Sequence, residues 1–555
     1  MAHPWADAGP WLGAAFGLPS NALAVMAVLV ETSAIKKKSE TGGEMGKLVR
    51  GIVGFICVAM IAAAPASANK ADDTLRIAVT DWWSTLDPYQ FPLDEAAVFY
   101  KTVYETLISY DERAHKYVPR LAKAWKQVDN RTIEFELRDD VKFHNGDKFD
   151  ADDVVALIKY VTDPNVPLRF KDLYSFVESV EKLGPYKVRV TAKKPLATEL
   201  QSFAYRFYMY DSKVLAKLDN KADYGRMGAV ATGPYKLVSL DQQKMVLERF
   251  DEYYDKNAAF RANMKRIIVT PMPDRQTQIA QFLTGNIDLI RNPTADTARE
   301  LAQMPDTRVT VMHNGLLMYL TLDAMGRSDN KVMMDQRVRK AFMEAIDRKE
   351  LARVVIPGGE IAEILNGICI PSNVGCMSST SPPAYNPDDA KKLLAEAGYP
   401  DGFDLEFDVH EPIKEIGEAI AGMVRKVGIR ASVRPLPLAL YVRMRGEGKF
   451  TAFLGFYPTN AQPDMDNLSD FFFDGNRDYW NDPVIQAAQK AGAVEFDEEK
   501  RPEVYKIGID QVNNKNYILP VADLPAVFVH SKDVHVAENR LSPIDTEVCD
   551  YEWSK

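Results

Sequence analysis

Three times in the chain, from residue 276 onward, an amphipathic helical stretch runs to a glycine and gives way to a short apolar strand. The units occupy residues 276–289, where Gly285 separates the two parts, residues 390–409, with Gly398 and Gly402 in the turn, and residues 416–434, broken at Gly428. A glycine just past the last helical residue accepts the left-handed conformation that ends a helix, so each unit reads as helix, stop, strand. Helices alternating with strands commit this half to an α/β architecture, and largely parallel sheets are expected. Sheets of that kind hold ligands at strand ends, in crevices between lobes.

The first half is more strand-rich. Thr74-Leu-Arg-Ile-Ala-Val79 alternates and then breaks into Trp82-Trp83-Ser84-Thr85-Leu86-Asp87-Pro88, a first strand emptying into a loop. Residues 132–141 alternate apolar with polar and lead to Asn145-Gly146, a turn signal. Asp150 to Asp153 then opens an amphipathic helix through Val154, Leu157, Ile158 and Tyr160, its acidic residues lying where the helix dipole favours them.

At 555 residues the chain exceeds a single core several-fold, which points to two or three domains. A formal net charge of -10, with no run rich in Lys and Arg, opposes capture of phosphate backbones and argues against a nucleic-acid partner. Residues 45–68 have the order of a secretory signal. Lys47 and Arg50 give the positive end, residues 51–64 the apolar stretch, and Ala66-Ser67-Ala68 the small-residue cleavage site. Export to the periplasm is expected, with Met45 as the true start and residues 1–44 as a mistaken upstream extension. Cys57 lies inside the apolar run without a lipobox before it, so no lipid anchor is expected. Cys369 and Cys376 close a short loop holding Pro371 and Gly375, and an oxidising compartment would preserve a disulfide there. Their spacing, with no His or Cys pair nearby, is no metal motif.

One stretch carries a family resemblance. Leu121-Ala122-Lys-Ala-Trp125, Ile133-Glu-Phe135-Glu-Leu137-Arg138-Asp-Asp-Val141-Lys142-Phe143-His144-Asn-Gly146 and Ala151-Asp-Asp153-Val154 resemble, type by type, the solute-binding proteins of ABC importers, family 5. That class includes the dipeptide, oligopeptide and nickel receptors. Thr232-Gly233-Pro234-Tyr235, Gly285-Asn-Ile287-Asp288, Arg337-Val338-Arg339-Lys340-Ala341-Phe342 and Ala390 to Tyr399 continue it, so the likeness spans the exported chain. It implies a two-lobed α/β periplasmic binding protein (type II, cluster C) whose first lobe is enlarged by an inserted subdomain. Lobe I is expected over residues 69–315 plus 521–555, the insertion at about 113–227, and lobe II over 316–520. The first crossing strand is expected near 313–323 and the return near 518–527. Most matched residues read as packing: Trp125, Phe135, Leu137, Val141 and Phe143 form a strand core, Gly233-Pro234 a turn, and Asp347-Arg348 the end of a helix.

The resemblance implies a monomeric receptor that captures a small peptide or peptide-like solute and presents it to the permease subunits of an ABC transporter, with no cofactor, no metal and no catalysis. The alternatives are a secreted hydrolase and a periplasmic sensor or chaperone on the same fold. Against the hydrolase, the seven histidines include no H-E-x-x-H pair, and no G-x-S-x-G elbow or phosphate-binding loop occurs. Ligand contacts are expected from loops at strand ends: Trp82 and Trp83 after the first strand, then Phe456, Tyr457, Asn460, Asp464 and Asp466 in the segment from Leu454 to Asn467. That segment resembles the family block in which an aspartate anchors a peptide's α-ammonium group. Here the anchoring position falls on Ala461, which brings no charge, so a free peptide N-terminus is not assured as ligand. Arg443 and Arg445 are considered as carboxylate partners and read first as helix-surface charges.

Overall fold

The computed structural model describes residues 70–554 apart from 81, 91–93, 227–228, 256–259, 460–462, 498 and 543–546. The export signal and upstream extension expected over residues 1–68 lie outside the described residues.

The first strand, β1 (Thr74–Val79), is followed by the hairpin β2 (Ile108–Asp111) and β3 (Lys116–Pro119). A separate four-stranded antiparallel sheet comprises β4 (Ala122–Asp129), β5 (Thr132–Leu137), β6 (Val177–Gly184) and β7 (Lys187–Ala192), in the order β4-β5-β7-β6. The alternation read in β5 is an inside-outside pattern, with Ile133, Phe135 and Leu137 buried. The helix after it, Ala151–Thr162, begins with a reciprocal cap: the Asp150 carboxylate accepts the Asp152 N–H, and Asp153 accepts that of Asp150. Both bonds satisfy donors a helix start leaves open.

The main sheet has ten strands. In chain order these are β1, β8 (Tyr235–Leu240), β9 (Met245–Arg249), β10 (Arg266–Pro271), β11 (Leu289–Arg291), β12 (Thr307–Leu322), β13 (Phe403–His410), β14 (Ile429–Leu436), β15 (Ala452–Pro458) and β16 (Ile518–Ser531). In space they run β14-β13-β15-β12-β16-β11-β1-β10-β9-β8, while β17 (Val534–Val536) and β18 (Tyr551–Trp553) pair by themselves. The expectation of largely parallel sheets needs correcting. Only β1 with β10 and β11, and β13 with β14 and β15, are parallel. The helix–glycine–strand units do build those parallel pairs, but β12 and β16 run antiparallel between the two sets, and the short turn from β8 to β9 allows only an antiparallel hairpin. Gly402 and Gly428, read as turn residues, face each other closely. A Cβ on Gly402, whose φ is +74°, would lie 1.8 Å from the Gly428 carbonyl oxygen, so no side chain fits.

Buried side chains gather into separate cores. One packs β1, β5, β8 to β10 and the helix Ala151–Thr162. Two others cover opposite faces of β12 beyond residue 316, one including Met318, Leu320 and Leu322 and the other Leu317 and Tyr319. Strands β12 and β16 serve both regions. Met312, Ala526 and Phe528 belong to the first core, while Met318, Leu320, Leu519 and Val521 belong to the second. Between these stretches the pairing slips: Met312 faces Ala526, but the next pair is Leu316 with Leu524, leaving residues 313–315 without a partner in the ladder. Gly315 there has φ +61°. Asp347-Arg348 starts a helix rather than ending one, for Asp347 caps Arg348–Val355 through the Glu350 N–H.

Candidate functional site

Parallel β13 and β15 finish on the same edge of the sheet, at His410 and Pro458. Successive side chains of a strand face opposite ways, and β15 divides its last aromatic residues accordingly. Phe456 packs beside the His410 ring (centroids 5.0 Å apart) against one core, and Tyr457 against Phe471 (4.3 Å) on the other face. Thr459 is fully buried and donates its hydroxyl to the Gly315 carbonyl (2.8 Å), tying the end of β15 to the slip in β12. Asn460 and Ala461 lie outside the described residues.

Asp464, expected as a ligand contact, is engaged within the protein. It is 2% exposed, and its two oxygens receive the Arg501 guanidinium at 2.6 and 2.7 Å. One of them also caps the helix Met465–Phe473 through the Asp466 N–H. A carboxylate so engaged holds this helix in place and has little capacity for a guest. Asp466 accepts the Tyr505 hydroxyl (3.0 Å) and borders a cleft of about 740 Å³ with Asp470, Asp474, Asp478 and Arg327. Burial, with the charges of Asp464 and Asp470, pushes its carboxyl up to about 7.

At the other candidate region the two tryptophans lie in coil beyond β1, so strand alternation does not govern them. Their rings stack on each other (5.3 Å, 26°). Trp83 is 2% exposed and packs on Phe99, whereas Trp82 is half-buried and its indole N–H donates to the Asp241 carbonyl (3.0 Å). Trp83 is therefore core, and Trp82 is the one of the pair with an accessible face. Arg445 is no surface charge either. It is 5% exposed, lies over the Phe471 ring (4.1 Å) and donates to the Phe471 carbonyl (3.0 Å), while Arg443 is exposed. Cys369 and Cys376 are joined, with Cα atoms 5.8 Å apart.

Arg206 escaped the sequence reading. It caps the end of the helix Glu199–Tyr205 and donates to the side-chain oxygen of Asn467 on the helix Met465–Phe473. Nearby, the Ala197 N–H donates to the Ala493 carbonyl (3.1 Å). Both bonds join the first core region to the third, on a path separate from β12 and β16. Nothing local marks Arg206 among 68 Lys and Arg residues.

The slip in β12 carries a titratable group. Asp523, 1% exposed on β16, accepts the Leu316 N–H (2.9 Å), stands 3.6 Å from the His313 ring, and donates its own N–H to the Glu363 carbonyl. Burial, aided by the Glu363 charge and opposed by Leu316 and His313, pushes its carboxyl up to about 6. A carboxyl whose folded value exceeds its unfolded one keeps its proton in the native state after the unfolded chain has lost it. Stability from this group is therefore present at low pH and falls as pH rises from about 4 through about 6. Asp523→Asn is expected to make the decline of the urea midpoint over that window shallower, and an unchanged slope would exclude this assignment.

Among the described residues no helix is long and apolar enough to cross a membrane, and no group of three or more His, Cys, Asp or Glu side chains could hold a metal. The family model of bacterial extracellular solute-binding proteins, family 5 (middle), matches residues 116–480. Heme-binding protein A of Haemophilus influenzae is 26% identical over 458 residues, covering 76% of this chain and 81% of its own. The glutathione-binding protein GsiB of Salmonella paratyphi A is 24% identical over 493 residues, covering 85% and 93%. The periplasmic binding protein DppA of Helicobacter pylori, solved with the peptide STSA, superposes with a TM-score of 0.71 at 20% identity, covering 88% of this chain and all of that one. The fold is thus the two-lobed, type II periplasmic binding protein, and the chain belongs to the bacterial extracellular solute-binding proteins, family 5.

Proposed function

We propose that this protein is the periplasmic receptor of an ABC importer, closing two lobes on a small peptide or peptide-like solute and delivering it to the permease subunits. The observation that carries the reading is the pair β12 and β16, which pass together from one core region to the other and slip in register at residues 313–315. Two bodies joined by strands whose pairing slips between them can rock there, and capture by closure needs no bond-making. Lobe I over residues 69–315 plus 521–555, with its insertion at about 113–227, and lobe II over 316–520 fit that hinge. Trp82 from the first lobe, and Phe456, Tyr457, Asn460 and Asp466 from the second, are assigned to the ligand cleft. Asp464 is left out because Arg501 occupies it. The protein acts as a monomer and catalyses no reaction.

Related proteins are named for heme and glutathione, and a similar structure holds a peptide. The test is titration of the exported chain, residues 69–555, with glutathione, heme and the peptide Ser-Thr-Ser-Ala. A ligand at 100 times its Kd should add about 2.7 kcal/mol to stability. It should also contract the radius of gyration measured by X-ray scattering. Turnover of a probe, or stabilisation without contraction, would overturn the reading.

A further inference from the structure

We infer that the hinge of this receptor is worked by a proton: the neutral Asp523 carboxyl belongs to the closed form, and its ionisation opens the lobes. The inference rests on the receptor reading.

The described form is closed. Arg206 reaches Asn467, and the Ala197 N–H reaches the Ala493 carbonyl (3.1 Å), so the first core region and the third touch on a path apart from β12 and β16. In this form Asp523 lies on β16 beside the slip and is 1% exposed. Its Oδ1 accepts the N–H of Leu316, the residue at which pairing with β16 resumes (2.9 Å). Its Oδ2 stands 3.6 Å from Nδ1 of His313, inside the slip, whose side chain is 46% exposed. The ring nearest the buried carboxyl therefore lies half in solvent. Glu363 adds a negative charge, and its carbonyl takes the Asp523 N–H (2.9 Å). Arg348, from the helix Arg348–Val355, turns instead to the Leu365 and Pro520 carbonyls. The slip is also tied to the cleft, because Thr459 at the end of β15 donates to the Gly315 carbonyl.

Asp523 and its two supports sit on different strands, and the supports lie where the pairing lapses. Rocking about residues 313–315 shifts His313 and the Leu316 N–H against the carboxyl and lets water reach it. A carboxyl that is buried in one form and wet in the other holds its proton more tightly in the first. The closed form pushes Asp523 up to about 6, and hydration returns it toward its ordinary value. Closing then takes up a proton, so the closed form is favoured in acid and gives way as pH rises through about 6.

The experiment measures the ratio of closed to open molecules by single-molecule energy transfer between one dye on each lobe of the exported chain, residues 69–555, without ligand. Between pH 5 and pH 7 the wild-type ratio should fall about 10-fold, the change set by a carboxyl at about 6 in one form and about 4 in the other. Asp523→Asn keeps an acceptor for the Leu316 N–H but cannot ionise, so it should hold the pH 5 ratio up to pH 7. His313→Gln, which removes the imidazole that favours ionisation, should move the fall to higher pH. A wild-type ratio that stays constant or rises with pH overturns the inference, as does a fall that survives in Asp523→Asn, and the receptor reading stands in each case. Lobes held at one distance at every pH, with and without glutathione or Ser-Thr-Ser-Ala, would bring down the inference and the receptor reading together.

Discussion

Arg501→Ala should lower the unfolding free energy by about 3–5 kcal/mol, the largest loss expected from any single substitution considered for this chain. Arg501 and Asp464 are 7% and 3% exposed at their side chains, and both carboxylate oxygens are in use. Burial works against the Arg501 charge, yet Asp464 more than offsets it and holds the guanidinium above its ordinary value. Arg501 also donates to the Gly492 carbonyl, so the pair joins the end of the helix Pro483–Gly492 to the start of Met465–Phe473. Removing the arginine leaves a buried carboxylate with no counterion beside Asp466, itself already pushed up to about 7. Asp464→Leu combined with Arg501→Met removes both charges and should lose less than Arg501→Ala alone. Urea unfolding at constant m-value measures all three. A loss below about 1 kcal/mol for Arg501→Ala would mean that the pair is not buried in solution.

That pair also marks where sequence reading stops. The alternation of β5, the reciprocal cap at Asp150 and Asp153, and the glycine stops before β11, β13 and β14 are local signals, and each produced the element expected. Partner choice is different. Asp464 and Arg501 are 37 positions apart, and an aspartate ahead of a helix looks the same whether it meets a ligand or an arginine. Its capping role was in principle readable from Asp464-Met-Asp466 before an apolar run, the usual signature of a helix start. Sheet order was equally out of reach, because nothing in β12 or β16 alone says that each will run antiparallel between two parallel sets. Burial of Trp83 was likewise out of reach, because the pair lies in coil, where no strand alternation says which ring turns to the core.

Loss of the Cys369–Cys376 bond should cost about 2–3 kcal/mol, on the chain-entropy scale for so short a loop. The effect should fall on the candidate site rather than on the whole molecule equally. Val374, inside the loop, exchanges backbone bonds with the segment at the site: its N–H donates to the Pro463 carbonyl (2.8 Å), and the Met465 N–H donates to its carbonyl (2.9 Å). Gly375, at φ +81°, lies against Tyr505 and Met465, so a Cβ there would stand 3.1 Å from the Tyr505 ring. Tyr505 in turn donates to Asp466. The bridged loop is thus the floor on which Asp464, Asp466 and Asn467 rest. Without the bond the loop gains conformations that leave Pro463 and Met465 unpaired. Cys369→Ala with Cys376→Ala should therefore speed amide exchange at Met465 and Asp466 well before it affects β5 or the helix Ala151–Thr162. Combined with Arg501→Ala, the losses should depart from additivity by more than about 0.5 kcal/mol, because both changes act on the same helix start. Strict additivity, or exchange that rises uniformly along the chain, would show that the loop stabilises the fold without positioning the site.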